Sequence, residues 1–323
     1  MNKEKQQIII FLLFASAMLL TPFFFKDSYY LNVLVFIGIN TLLAVALNLL
    51  LGYAGQISLG HAAFFGLGAY ISGILTTRFA IDPWVAMTLA AVCAGGLAFI
   101  IGFPILKLKG HYLAMATLGF GIIIYIIFNE TIAWTGGPSG LSGIPNIHLG
   151  SFIFDNDWNN YYLIWIFTLI VMLLSINLSQ SRIGRALRAI HDSEVAARVM
   201  GVNAQLLKVQ IFTVSAFLSA MAGSLYAHTM TFISPVAFGF NFSVELVTMV
   251  IIGGLGSIYG SFLGAAILTM LPEFLRVFRD FDIAIYGLML ILITMFMPGG
   301  LIGGMEATAR FVVTKIRGKQ SNA

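Results

Sequence analysis

Residues 179–208 read SQSRIGRALRAIHDSEVAARVMGVNAQLLK. This polar stretch sits in an otherwise oily chain. It carries Arg182, Arg185, Arg188 and Arg198, with Asp192 and Glu194 between them. One Arg at a helix centre costs roughly 2.5–3.5 kcal/mol to place in a bilayer. Four of them keep the stretch in water, on the side where Lys and Arg collect. Ile183, Leu187 and Ile190 recur at helical spacing. Glu194 precedes Arg198 by four residues, the favoured order for a helix ion pair. Gly201 followed by Asn203 closes the helix, because glycine takes the left-handed position beyond a helix end without penalty. The stretch predicts a short amphipathic helix, broken near residues 191–193, between two membrane spans. Its plainest reading is a solvated connector. The alternative is a docking element, with Ala196 and Ala197 allowing close approach and Arg185, Arg188, Glu194 and Arg198 setting orientation.

The flanking sequence decides the class. Of 323 residues, 59% are hydrophobic and 9% charged, against about 25% charged in a soluble domain. The expectation is one all-α membrane-embedded domain over residues 1–323, with the lipid bilayer as its surroundings. The single cysteine, Cys93, lies in an apolar run and reads as packing. No zinc spacing, P-loop or dinucleotide fingerprint is present, so no cofactor and no nucleic-acid partner is expected. Paired carboxylates and nucleophile–base sets are also missing, which argues against an enzyme.

Taken in order, the apolar run 8–25 follows Lys3 and Lys5 and reads as an uncleaved first span. A second span covers 31–51. Next comes GYAGQISLGH, residues 52–61, flanked by apolar sequence on both sides. Its glycines permit an unwound backbone, which is tolerated at membrane depth only inside protein or beside a water-filled cavity. Gly52, Gly55, Gln56, Ser58 and His61 form either a tight helix–helix turn or a gate lining a path. Spans follow at 62–77, 84–106, 112–128, 161–178 and 207–232. Residues 129–160 hold no Lys or Arg and contain the turn-rich WTGGPSGLSGIP, so they read as a loop on the side opposite the connector. IIGGLGSIYG, residues 251–260, is a second glycine break, with Gly253 and Gly256 as candidate gate residues. A last span covers 283–302, followed by a basic tail.

Placing the N-terminus, Lys107/Lys109, the connector and the tail inside collects 13 of the 17 Lys and Arg. Both termini inside requires an even number of spans. Two short crossings hinged at residues 253–256 give ten. Gly52, Gly55 and Ile57 align with Gly253, Gly256 and Ile258 at one offset, the mark of a parallel repeat.

LNLLLGYAGQISLGHAAFFGLGAY (47–70), GHYLAMATLGF (110–120), TGGPSGLSGIP (135–145) and GRALRAIHDSEVAARVMGVN (184–203) resemble signatures of the permeases of branched-chain amino-acid ABC importers. The glycine break at 251–260 and the late MPGGL add to this, and the resemblance runs from about residue 31 to 304. TGGPSG and GHYLAMAT favour the LivM-type subunit over its LivH-type sister. EVAARVMG, residues 194–201, is similar to the motif by which such permeases dock on their ATPases. The resemblance implies high-affinity import across a bacterial inner membrane. It implies a LivH-type second permease, two ATP-binding subunits and a periplasmic substrate-binding protein. Urea and short-amide permeases carry similar signatures. An ion-coupled transporter would need buried carboxylates, and only Glu245 offers one within a span. A passive channel would have no use for the connector.

Overall fold

The computed structural model describes residues 3–24, 27–150 and 152–275, with positions 287 and 291. The expected last span and basic tail lie outside the described residues. The chain is helical: α1 (Lys3–Phe24), α2 (Ser28–Ala54), α3 (His61–Phe79), α4 (Pro83–Ile105), α5 (His111–Glu130), α6 (Ile132–Thr135), α7 (Asp157–Gln180), α8 (Arg182–Asp192), α9 (Glu194–Val199), α10 (Ala204–Met230), α11 (Phe240–Gly253) and α12 (Ile258–Leu275). Local chemistry sets the ends. The Asp82 carboxylate accepts from the Trp84 N–H at 2.9 Å, with Pro83 opening α4.

Among the described residues five helices, α2, α4, α5, α7 and α10, are long and apolar enough to cross a bilayer. Helix α11 has 14 residues. At about 1.5 Å per residue it reaches roughly 21 Å, short of a hydrocarbon core of about 30 Å.

Contacts fix the directions. Asn48 of α2 meets Ser261 of α12 while Asn40 meets Thr269, so these helices are antiparallel. Trp165 and Thr168 of α7 donate to the Leu34 and Gly38 carbonyls, so α7 runs parallel to α2. His61 meets Ser215 and Ser72 meets His228, so α3 and α10 run parallel. Helix α2 is the spine of the bundle, buried along most of its length. Where α3 crosses α10, Gly68 lies on the Ala220 carbonyl and Gly223 on that of Phe65, with no room for a methyl at either. Close approach of this kind holds helices together in lipid, where hydrophobic burial gives no drive. Cys93 does not pack inside; it is exposed on α4.

Residues 129–160 and the connector lie at opposite ends of α7. The former are not a free loop. Strand β1 (Leu141–Ser142) pairs antiparallel with the strand at Phe232–Ile233 after α10, and β2 (His148–Leu149) with β3 (Phe152–Ile153). The Arg78 guanidinium donates to the Ala133 carbonyl and lies 5.0 Å from the Trp134 ring centroid. Trp84 donates to the His148 carbonyl at 2.8 Å. His228 Nδ1 donates to the Pro145 carbonyl at 2.7 Å and Nε2 accepts from Ser72. The segment is thus a cap tied to α3, α4 and α10.

Candidate functional site: the connector and the two glycine breaks

The connector is two helices joined at Ser193, whose backbone is extended. Ser181 caps α8 by accepting from Gly184 N–H at 3.2 Å, and Ser193 caps α9 by accepting from Ala196 N–H at 3.3 Å. Gly201 has φ +83°. Its N–H donates to the Arg198 carbonyl and that of Val202 to the Ala197 carbonyl, both at 3.0 Å. This paired closure needs a left-handed residue at Gly201. Arg185 and Arg188 donate to the Gln180 and Ser179 carbonyls, each at 2.9 Å, satisfying the end of α7.

Two sequence expectations are corrected here. The buried stripe of α8 is Gly184, Leu187 and Ile190, and Ile183 is exposed. Gly184 lies against the Leu178 and Ser179 carbonyls, where any side chain would collide. Ala197 is buried against Ile190 and Ala204, so its smallness serves this chain's own packing. Glu194 also turns inward. Its Oε1 accepts from Lys208 Nζ at 3.2 Å, Arg198 pairs with the same oxygen, and Lys109 stands 3.9 Å from Oε2. The Lys208 side chain is 2% exposed and that of Glu194 15%. Partial burial opposes ionisation of Glu194. The Lys208 hydrogen bond and the charges of Lys208, Arg198 and Lys109 outweigh it and hold the carboxyl below its ordinary range. The outward face of α9 is Val195, Ala196, Val199 and Met200, the last two 82% and 83% exposed.

The first break starts where α2 ends at Gly55, φ +65°. The Ser215 hydroxyl donates to the Ala46 carbonyl and lies 2.7 Å from His61 Nε2, so Ala46, His61 and Ser215 share one level. Ala54 is eight residues beyond Ala46, about 12 Å along the helix. Residues 55–60 therefore climb back as non-helical chain, exposed at Gly55 and Ile57 and buried at Ser58 and Gly60. Ser58 Oγ meets His61 Nδ1 at 2.9 Å, Gln56 donates to the Ala54 carbonyl at 2.8 Å, and Thr117 accepts from Leu59 N–H at 3.0 Å. Ser58 and His61, expected to line a path or form a packed turn, are buried and cross-link the break to α10.

The second break, residues 254–257, lies against the first. Asn48 Oδ1 accepts from Gly256 N–H at 2.9 Å, while Nδ2 donates to the Ser257 carbonyl and Ser261 Oγ, both at 2.8 Å. A methyl at Gly52 would collide with the Asn48 amide and the Gly256 nitrogen. At Gly253 it would collide with the Gly260 carbonyl. His191 at the end of α8 donates through Nδ1 to the Gly52 carbonyl at 3.0 Å. The connector, Gly52 and Gly55, and Gly256 thus form one contiguous unit. Asn48, His191, Lys208 and Ser215 are its members that sequence reasoning missed. Asn48 and Ser215 were visible as polar residues within otherwise apolar spans.

Such a bundle, with five long apolar helices, unwound chain packed between helices and a charged helical connector at one end, is a multi-pass helical membrane protein. Residues 29–296 match the family described as branched-chain amino acid transport system, permease component, and the chain belongs to that family. It is 31% identical over 262 residues to the high-affinity branched-chain amino acid transport system permease protein LivM of Escherichia coli (strain K12), covering 74% of this chain and 62% of that protein. The corresponding permease protein BraD of Pseudomonas aeruginosa is 29% identical over 261 residues, covering 74% and 83%. The LivH protein of Escherichia coli (strain K12) is 32% identical over 146 residues, covering 44% and 47%. The chain spans less than two thirds of the length of the LivM relatives from Escherichia coli and Salmonella typhimurium. No solved structure matches it.

Proposed function

We propose that this chain is a LivM-type permease subunit of an ATP-driven, high-affinity importer of branched-chain amino acids in a bacterial inner membrane. It crosses ten times with both termini in the cytoplasm, residues 129–160 in the periplasm and residues 179–208 in the cytoplasm. A LivH-type permease completes the pathway. Two ATP-binding subunits dock on the connector, and a periplasmic binding protein delivers the substrate. The printed names of the relatives support the substrate class.

The observation that carries the coupling role is the outward face of α9. Val195, Val199 and Met200 are large exposed apolar side chains beside Ala196, with Arg198 on the same short helix. Exposed apolar surface rimmed by charge marks a protein contact. The same connector touches Gly52 through His191, so its position is tied to that of the break.

Purification of the membrane complex through this chain tests the reading. Two ATP-binding chains and a second permease should come with it. In proteoliposomes with the binding protein, labelled leucine uptake should require ATP and be displaced by valine and isoleucine but not by urea. Displacement by urea, or ATP-independent uptake driven by a proton or sodium gradient, would overturn it.

A further inference from the structure

A pocket of about 370 Å³ opens between α5 and the start of α11, lined by Ile122, Tyr125, Val236, Gly239, Phe240 and Asn241. Its volume is in the range of small-molecule sites. Helix α5 runs away from the Lys109 turn and α11 follows the outer strand at Phe232–Ile233. The pocket therefore lies toward the end of the bundle opposite the connector. Gly239 has φ −75°, a backbone any residue adopts. A methyl there would meet the Val236 carbonyl at 3.4 Å and the Tyr125 ring at 3.8 Å, inside the pocket. Neither backbone conformation nor a methyl's bulk demands glycine here, and only a larger side chain would crowd the pocket.

The polar edge continues inward. Asn241, Glu245 and Thr248 stand at i, i+4 and i+7, one face of α11, while Ser243, Leu246, Met249 and Val250 are buried on the other. Thr248 satisfies itself on the Val244 carbonyl at 2.8 Å. Glu245 is partly exposed, and among the described residues no cation or hydrogen-bond donor reaches its carboxylate. An ionisable group within a span is a candidate functional group, and Glu245 stands near the outer start of α11.

We infer that the α5–α11 pocket, with Asn241 at its edge and Glu245 one turn deeper, is a substrate subsite that receives the ammonium group of an amino acid. Ile122, Val236 and Phe240 supply an apolar wall for an aliphatic side chain. An anionic carboxylate complements the full positive charge of an ammonium group, whereas a neutral urea or amide offers it N–H hydrogen bonds alone. The inference rests on the amino-acid importer reading.

The test uses the full complex in proteoliposomes with its binding protein, reading leucine moved per ATP hydrolysed. Glu245→Gln should lower this ratio about tenfold, the loss expected of one charge-assisted contact. Glu245→Asp should recover most of it, and Gly239→Leu should lower it by filling the pocket. A purely structural role would reduce assembly and ATP hydrolysis together and leave the ratio alone. In a Cys93→Ala background, a cysteine at Asn241 should react with an impermeant thiol reagent added outside, and leucine should slow that reaction during turnover. A wild-type ratio in Glu245→Gln, or equal labelling with and without leucine, overturns the subsite. If Glu245→Gln fails to assemble, the labelling result decides. Failure of the importer reading is separately visible, because the unaltered complex would then not move leucine at all.

Discussion

His191 Nδ1 lies 3.0 Å from the Gly52 carbonyl, 139 residues away in sequence, and its ring fills the space beside Gly55. This contact ties α8 to the last turn of the central spine. His191→Ala removes it without leaving a large cavity, since the ring is partly exposed. The complex should assemble and hydrolyse ATP while leucine moved per ATP falls several-fold. His191→Gln, which still donates to a carbonyl, should recover part of that ratio. Equal ratios in all three forms would show the contact to be passive.

Asn48 serves three partners at once across the two breaks. Asn48→Asp keeps the acceptor for Gly256 N–H but loses both donated bonds and introduces a buried charge. Asn48→Ala leaves buried groups unsatisfied, at about 1–3 kcal/mol. Thermal melting in detergent should rank wild type above Asn48→Ala and Asn48→Asp lowest. Coincident melting curves would mean that water replaces the amide.

Lys208 is buried and Glu194 is its partly buried partner, so removing the acid alone is worse than removing both. Glu194→Gln strands the Lys208 ammonium and should cost about 3–5 kcal/mol. The double change with Lys208→Met should melt well above the single one. The pair also predicts a pH dependence. The folded carboxyl lies below the ordinary 4.5, so its stabilisation is complete above that value and is lost as pH falls through the lowered pKa. Melting temperature against pH should show this acid loss in wild type and a smaller one in Glu194→Gln.

The two faces of α9 separate packing from docking. Ala197→Trp should destabilise the permease itself, because Ile190 and Ala204 leave no room. Val199→Glu with Met200→Glu changes only exposed positions, where substitutions stay within about 0.5 kcal/mol. That variant should melt normally and lose the ATP-binding subunits on purification. Crosslinks from Ala196 should land on those subunits. Retention of the subunits by the double-Glu variant would move the docking surface elsewhere.

What was legible in the sequence was local. The break at Ser193, the Glu194–Arg198 pair and the turn at Gly201 depend on neighbours within a few residues. What was hidden depended on distant chain. Apolarity alone chose Ile183 over Gly184, but the seat of α8 on the end of α7 requires a residue with no side chain. Ala196 and Ala197 look alike in sequence, and only the packing of Ala204 beneath one of them tells which faces out. The glycine breaks read as a gate or a packed turn, and their polar groups prove to be satisfied internally. The reason is that Asn48, Thr117 and Ser215 arrive from three other helices.

Residues 55–60 climb from the level of His191 to that of Ser215 without a helical ladder. A helix resists compression and extension alike, because its hydrogen bonds brace every turn. A non-helical segment of six residues, able to span about 20 Å only when fully extended, resists only being stretched toward that length. It behaves as a tether and not as a strut. Drawing α8 away from the bundle would haul on the start of α3 at the level of Ser215, whereas pressing α8 inward would merely slacken the line. A cycle driven from the connector would then have its working stroke in one direction only.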